Sequence, residues 1–172
     1  MQNAALITAC PGCGVLLPEE SGPTHRYAES SATCWKVYGE VLAREYSDPV
    51  YLAVHRLTVD AFAAQHPGQP SPQSIQSVAV HLISLRLIFE RGYTAQQATS
   101  AIGQAVAKGK GKYAWLTPPS FAGRLTVADV HKATNAEEHI RFVRAWAESV
   151  WKAWSPHHDT VREWASLYGC TA

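Results

Sequence analysis

Charge is scarce in this chain. Asp, Glu, Lys and Arg make up 17 % of its 172 residues, against about 25 % in an ordinary domain. Hydrophobic residues make up 47 %. A chain this apolar buries enough surface to offset the entropy of ordering, so disorder is excluded. Charge of one sign is lacking too: 15 basic and 14 acidic side chains leave +1. No global field marks a nucleic-acid or membrane-surface binder. No apolar run approaches ~18 residues, which excludes a membrane-crossing helix. The sequence also has no phosphate-cradling glycine loop, no G-x-S-x-G elbow and no dinucleotide fingerprint. No segment alternates apolar and polar residues for the length of an ordinary strand.

What is present in excess is Trp, with 6 residues, and His, with 8. Cysteine is limited to 4. Leu6-Ile7-Thr8-Ala9-Cys10 has the outline of a lipoprotein cleavage box. No basic residue precedes it and the stretch is too short for a signal peptide, so the expected location is the cytoplasm. The cysteines are then expected as thiols or thiolates.

Residues 1–28 show no helical period and read as an irregular arm, with at most a β-turn around its two Cys. Beyond it, capping residues and apolar spacing predict helices near 30–46, 50–66, 72–91, 94–108, 126–133, 136–154 and 157–168. The expected fold is an all-α antiparallel bundle over residues 29–172. Arm and bundle together form a single domain, 1–172. Its expected core includes Leu42, Val54, Leu57, Phe62, Val78, Leu82, Leu85, Phe89, Phe142, Trp146 and Val150.

Cys10-Pro-Gly-Cys13-Gly is the most specific chemical signal. A C-x2-C turn sets two thiolates on one side of a tight loop, as zinc requires. A redox dithiol would sit between a strand and a helix, and a pair of plain free thiols is the remaining alternative. A closed zinc site needs two more ligands. Cys34, in the first turn of the first helix, is the expected third; Cys170, near the end of the chain, is a poor candidate. If the first two helices pair antiparallel about residue 47 or 48, Cys34 lies level with about residue 61. His66 is then roughly 7 Å further toward the arm. His66 is therefore the expected fourth ligand, with His25 as the local rival and His55 and His81 as the remaining choices.

The same arithmetic about residue 68 or 69 sets His81 level with about residue 56. His55 and His81 are therefore expected to face each other, with Asp60 or His158 in support. If they held a second metal with open positions, His55, Asp60 and His81 would be candidate catalytic residues. Trp146, Val150 and Trp154 recur at helical spacing and are expected in the core. The alternative is an aromatic-walled pocket closed by Trp115-Leu116-Thr117-Pro118-Pro119. Lys108, Lys110 and Lys112 could meet an anion there, but solvated lysines are the expectation.

Several segments resemble an uncharacterised bacterial domain family. They are Cys-Pro-Gly-Cys-Gly, His55-Arg-Leu-Thr-Val-Asp-Ala-Phe with Gln65-His66-Pro67-Gly68, Val80-His81-Leu82, and Trp151-Lys-Ala-Trp-Ser-Pro-His-His. The resemblance covers nearly the whole chain. It implies the extent of the fold and little chemistry. A looser likeness is to helical metalloproteins of the DinB and YfiT type, which use three histidines on a four-helix bundle; their His-x3-His pair is not found here.

The leading expectation is a small zinc protein with a structural metal, its bundle binding an unknown small molecule or protein partner. The alternatives are a metal-dependent hydrolase or transferase using His55 and His81, and an interaction or regulatory module.

Overall fold

The computed structural model describes residues 6–107 and 112–167. Lys108, Lys110, Cys170 and the ends predicted for two helices at 108 and 168 lie outside the described residues.

The arm is more regular than its composition suggests. Ile7–Ala9 (β1) and Leu16–Pro18 (β2) pair antiparallel, with Ile7 opposite Pro18 and Ala9 opposite Leu16. This hairpin corrects the expectation of a β-turn alone. Strands of three residues are too short to show alternation, and both belong to the frame that carries the Cys turn. The turn closes with the Cys10 N–H donating to the Val15 carbonyl at 2.9 Å and the Gly14 N–H to the Cys10 carbonyl at 2.8 Å.

Eight helices follow among the described residues. Ser31 caps α1 (Ala32–Ser47), accepting from the Cys34 N–H. Asp48 caps the short α2 (Pro49–Leu52). The continuous helix predicted over 50–66 is broken at Ala53 and Val54, and α3 is His55–Gln65. Ser71 and Pro72 open α4 (Pro72–Arg91), and α5 is Ala95–Ala107. A capping box of Thr126 and Asp129 starts α6 (Val127–His131). Asn135 caps α7 (Ala136–Ala153), whose first turn carries Glu137 and Glu138 on the favourable end of the dipole. A single 3-10 turn over Ser155–His157 leads into α8 (His158–Ser166).

Helix α3 is the hub. It packs against α4 on one side and α7 on the other, while α1 packs on α6 and α8 on α4. The buried residues form one contiguous cluster reaching from Cys10 to Ala165. Of the expected core, Val54, Leu57, Phe62, Val78, Leu82, Leu85, Trp146 and Val150 are buried. Leu42, Phe89 and Phe142 pack at its edge, half-buried. On α1 the inward stripe is Cys34, Tyr38, Val41 and Glu45, so Val41 takes the place expected for Leu42.

The C-terminal end of α3 is held by two indoles of α7 and the turn after it. Trp146 donates to the Gln65 side-chain carbonyl at 2.8 Å, and Trp154 to the Ala64 backbone carbonyl at 3.1 Å. Gln65 in turn donates to the Leu125 carbonyl at 2.9 Å. These tryptophans are core residues whose N–H groups find partners, as buried indoles require. Together they fix the position of the next residue, His66.

Candidate metal centre and its surroundings

Three elements deliver four ligand atoms to one point. The hairpin turn brings Cys10 and Cys13, the first turn of α1 brings Cys34, and the end of α3 brings His66. All four ligand atoms lie within 4.8 Å of one another. The Cys34 and Cys10 sulfurs are 3.5 and 3.6 Å from His66 Nε2, and the Cys13 and Cys34 sulfurs are 3.9 Å apart. A tetrahedral ion with ~2.3 Å bonds to sulfur and ~2.0–2.1 Å bonds to nitrogen has S···S edges of about 3.8 Å and S···N edges of about 3.6 Å. The Cys10–His66, Cys34–His66 and Cys13–Cys34 separations are those of a tetrahedral site. Cys10, Cys13, Cys34 and His66 are each at most 2 % exposed, so the cage is closed on all sides.

The supporting contacts orient the ligands. His66 donates Nδ1–H to the Phe62 carbonyl at 2.8 Å, which fixes the tautomer and turns the Nε2 lone pair toward the sulfurs. The Ser31 N–H donates to the Cys10 sulfur at 3.4 Å. Cys34 lies in the first turn of α1, where the helix dipole favours a thiolate. Thr33 Oγ1 donates to the Pro18 carbonyl at 2.5 Å, tying α1 to the hairpin. Two glycines are required by close approach. A Cβ on Gly12 would come within 2.5 Å of both the His66 ring and the Glu29 carbonyl, and one on Gly68 would meet the Tyr27 carbonyl.

With protein groups alone, the three sulfurs crowd one negative charge. Hydrogen bonds from Cys13 and Cys34 hold Cys10 far below the usual thiol range. The hydrogen bond to Cys10 pushes Cys13 up to about 12, and the same interaction pushes Cys34 up strongly. A divalent cation at the centre removes this conflict, because a coordinated thiol is deprotonated outright.

The other histidines occupy separate places. His25 accepts at Nδ1 from the backbone N–H groups of Tyr27 and Ala28, at 3.4 and 3.2 Å, and packs against Trp35. His55 donates through Nδ1 to Glu45 at 2.7 Å and accepts at Nε2 from the Tyr46 hydroxyl at 3.0 Å. His81 instead donates through Nδ1 to Asp60 at 2.7 Å. The structure thus divides His55, Asp60 and His81 between two networks rather than bringing the three together. The reason is that each imidazole faces its own buried carboxylate. His158 stacks on Trp151 and donates to its carbonyl, and His157 donates to the Thr117 carbonyl.

Both carboxylates are fully buried and fully engaged. Asp60 accepts from His81 on one oxygen and from Arg56 and Ser84 on the other, at 3.0 and 2.5 Å. Glu45 accepts from His55, His139 and Thr58. Burial alone would raise the Glu45 pKa, but the hydrogen bonds from His139, His55 and Thr58 together outweigh it and hold it below the usual value. Glu45, Thr58 and His139 were not singled out in the sequence. The signal for Glu45 was its place on the stripe Cys34, Tyr38, Val41, Glu45.

Of the loop read as a pocket wall, Trp115, Pro118 and Pro119 line an open cleft of about 570 Å³ that also touches Cys13 and Gly68. Lys112 is exposed.

A family model matches residues 8–155, taking in all of the hairpin but Ile7, the cage and all of the helices up to α7. The chain belongs to DUF5946, a family of unknown function. No curated protein and no solved structure matches it significantly. The four clustered residues of this DUF5946 chain all lie inside the matched span. Among the described residues, no helix is long and apolar enough to cross a membrane.

Proposed function

We propose that the protein binds one zinc ion through Cys10, Cys13, Cys34 and His66, that this metal is structural, and that the bundle it stabilises receives a small molecule or a partner. The observation that carries this reading is the closed Cys3His cage at tetrahedral spacing. Three sulfurs and an imidazole suit zinc among the common divalent ions. A closed, four-ligand shell leaves no position for water or substrate, which is the mark of a structural rather than a catalytic ion. The metal pins the hairpin to α1 and α3, which otherwise meet it through few contacts.

The test is elemental analysis of untagged protein purified without chelator. One zinc per chain is expected for the wild type. Cys13→Ser should release the metal and loosen residues 6–28, while circular dichroism still shows the helices. A wild-type chain that takes up no metal, even after reconstitution with zinc, overturns the reading.

A further inference from the structure

Against the cage, with His66 and Phe62 both in its wall, the helices leave a second pocket of about 200 Å³. It is lined by Tyr27, Trp35, Tyr38 and Phe62, with Ser77 and His81 from one face of α4. Its walls are organised rings. Tyr38 stacks on Phe62 at 3.8 Å between centroids, Phe62 stacks on the metal-facing ring of His66 at 3.9 Å, and Trp35 is tilted against both Tyr38 and Phe62.

Among the polar groups lining this aromatic box, which include His25 and Ser77, the outer nitrogen of His81 is the one held by a buried network. Asp60 accepts three hydrogen bonds and so acts only as an acceptor, which places the His81 proton on Nδ1. His81 Nε2 has no protein partner among the described residues. The Tyr38 hydroxyl is likewise without one. The buried Asp60–Arg56–Ser84 network locks the imidazole in orientation, as a site that reads one hydrogen bond needs.

The chemistry of a ligand follows. Aromatic faces and edges favour a flat ring over an aliphatic chain. A cation would find no free carboxylate, because both oxygens of Asp60 are taken. No Lys or Arg lines the pocket, so it offers an anion no permanent positive charge. What fits is an uncharged ring carrying an O–H or N–H that reaches Nε2. On size, a cavity of about 150 Å³ is known to hold benzene, so this one takes a single ring or a fused pair of rings.

We propose that the cavity bounded by Trp35, Tyr38, Phe62 and His81 binds a small uncharged aromatic molecule whose ring hydroxyl or ring N–H donates to His81 Nε2. This rests on the small-molecule half of the function proposed above, and it names the site and ligand class.

Phenol and toluene make the test, since they share size and shape and differ in the hydroxyl. The zinc-loaded full chain, labelled with nitrogen-15, is titrated with each and followed by proton–nitrogen correlation spectra. Phenol and indole should shift the His81 side-chain nitrogens and the Trp35 indole N–H in a saturable manner. Toluene should bind about tenfold more weakly, the worth of one hydrogen bond. His81→Phe should abolish the preference for phenol, and Ser77→Phe should fill the cavity and abolish binding of both. Zinc content and circular dichroism of each variant show that it is folded. Equal binding of phenol and toluene to the wild type, or no saturable shift at His81 and Trp35, overturns the proposal and leaves the zinc reading standing. A wild type without metal overturns the zinc reading on its own.

Discussion

His66 donates Nδ1–H to the carbonyl of Phe62, one turn earlier on α3, and thereby presents Nε2 to the sulfurs of Cys10 and Cys34. The same backbone turn that ends the helix chooses the tautomer of the ligand. His66→Ala should weaken metal binding by at least ~10-fold, the loss that follows when only a supporting partner of a ligand is removed. Cobalt substituted for zinc reports this: the tetrahedral thiolate absorption of the wild type should fade and shift in the variant.

The Cys turn tolerates no side chain between its ligands. Gly12→Ala places a Cβ 2.5 Å from the His66 ring and 2.5 Å from the Glu29 carbonyl. One of these is backbone, so the turn itself must move. We expect a loss of about 1–3 kcal/mol in the stability of the metal-loaded protein. Competition with a chelator should show faster zinc release, and urea unfolding a lower midpoint.

Glu45 is a buried carboxylate with three donors around it. Glu45→Gln sets an amide N–H against at least one of those donors, and should cost about 3 kcal/mol near neutral pH. The pH dependence has a definite sign. The folded-state pKa of Glu45 lies below its ordinary 4.5. Its contribution is therefore complete above that value and is lost as pH falls through the lower folded value. The gap between wild type and variant should accordingly narrow on acidification. A gap that widens in acid, in urea titrations stepped through the carboxylate range, would contradict this assignment.

Trp146→Phe keeps an aromatic six-membered ring, removes the N–H that bonds Gln65 and leaves the space of the pyrrole ring unfilled. The Gln65 carbonyl is then buried without a donor, at a cost of roughly 1–3 kcal/mol. Because Gln65 adjoins His66, zinc release should also quicken. Unfolding and chelator competition on the same samples check both.

The helices were legible wherever a cap and an apolar period agreed, as at Ser31, Ser71 and Asn135. The approach of His66 to Cys34 was legible because the chain reverses between α1 and α3, which brings the start of the one toward the end of the other. What the sequence concealed was polar burial. Glu45 and Asp60 look like surface residues until their partners from other helices are known. His55 and His81 were expected level, but the contacts of Asp60 with His81 and of Arg56 with Ser84 shift the register of α3 against α4, so His81 lies opposite Asp60 and His55 turns to Glu45 instead. The hairpin was concealed for another reason: its strands are too brief to carry a period.

The distance along the chain between the ends of the cage has a consequence for assembly. Cys10 and His66 are separated by 56 positions, and bringing such ends together costs an open chain roughly 3–4 kcal/mol of length-dependent entropy. The Cys10–Cys13 turn, by contrast, closes over two residues. On the zinc reading proposed above, an ion meeting the unfolded chain would be held first by that turn alone, with the shell completed only after α1 and α3 have docked. Helix docking would then come first, and the ion would close the cage as a clasp fastened last.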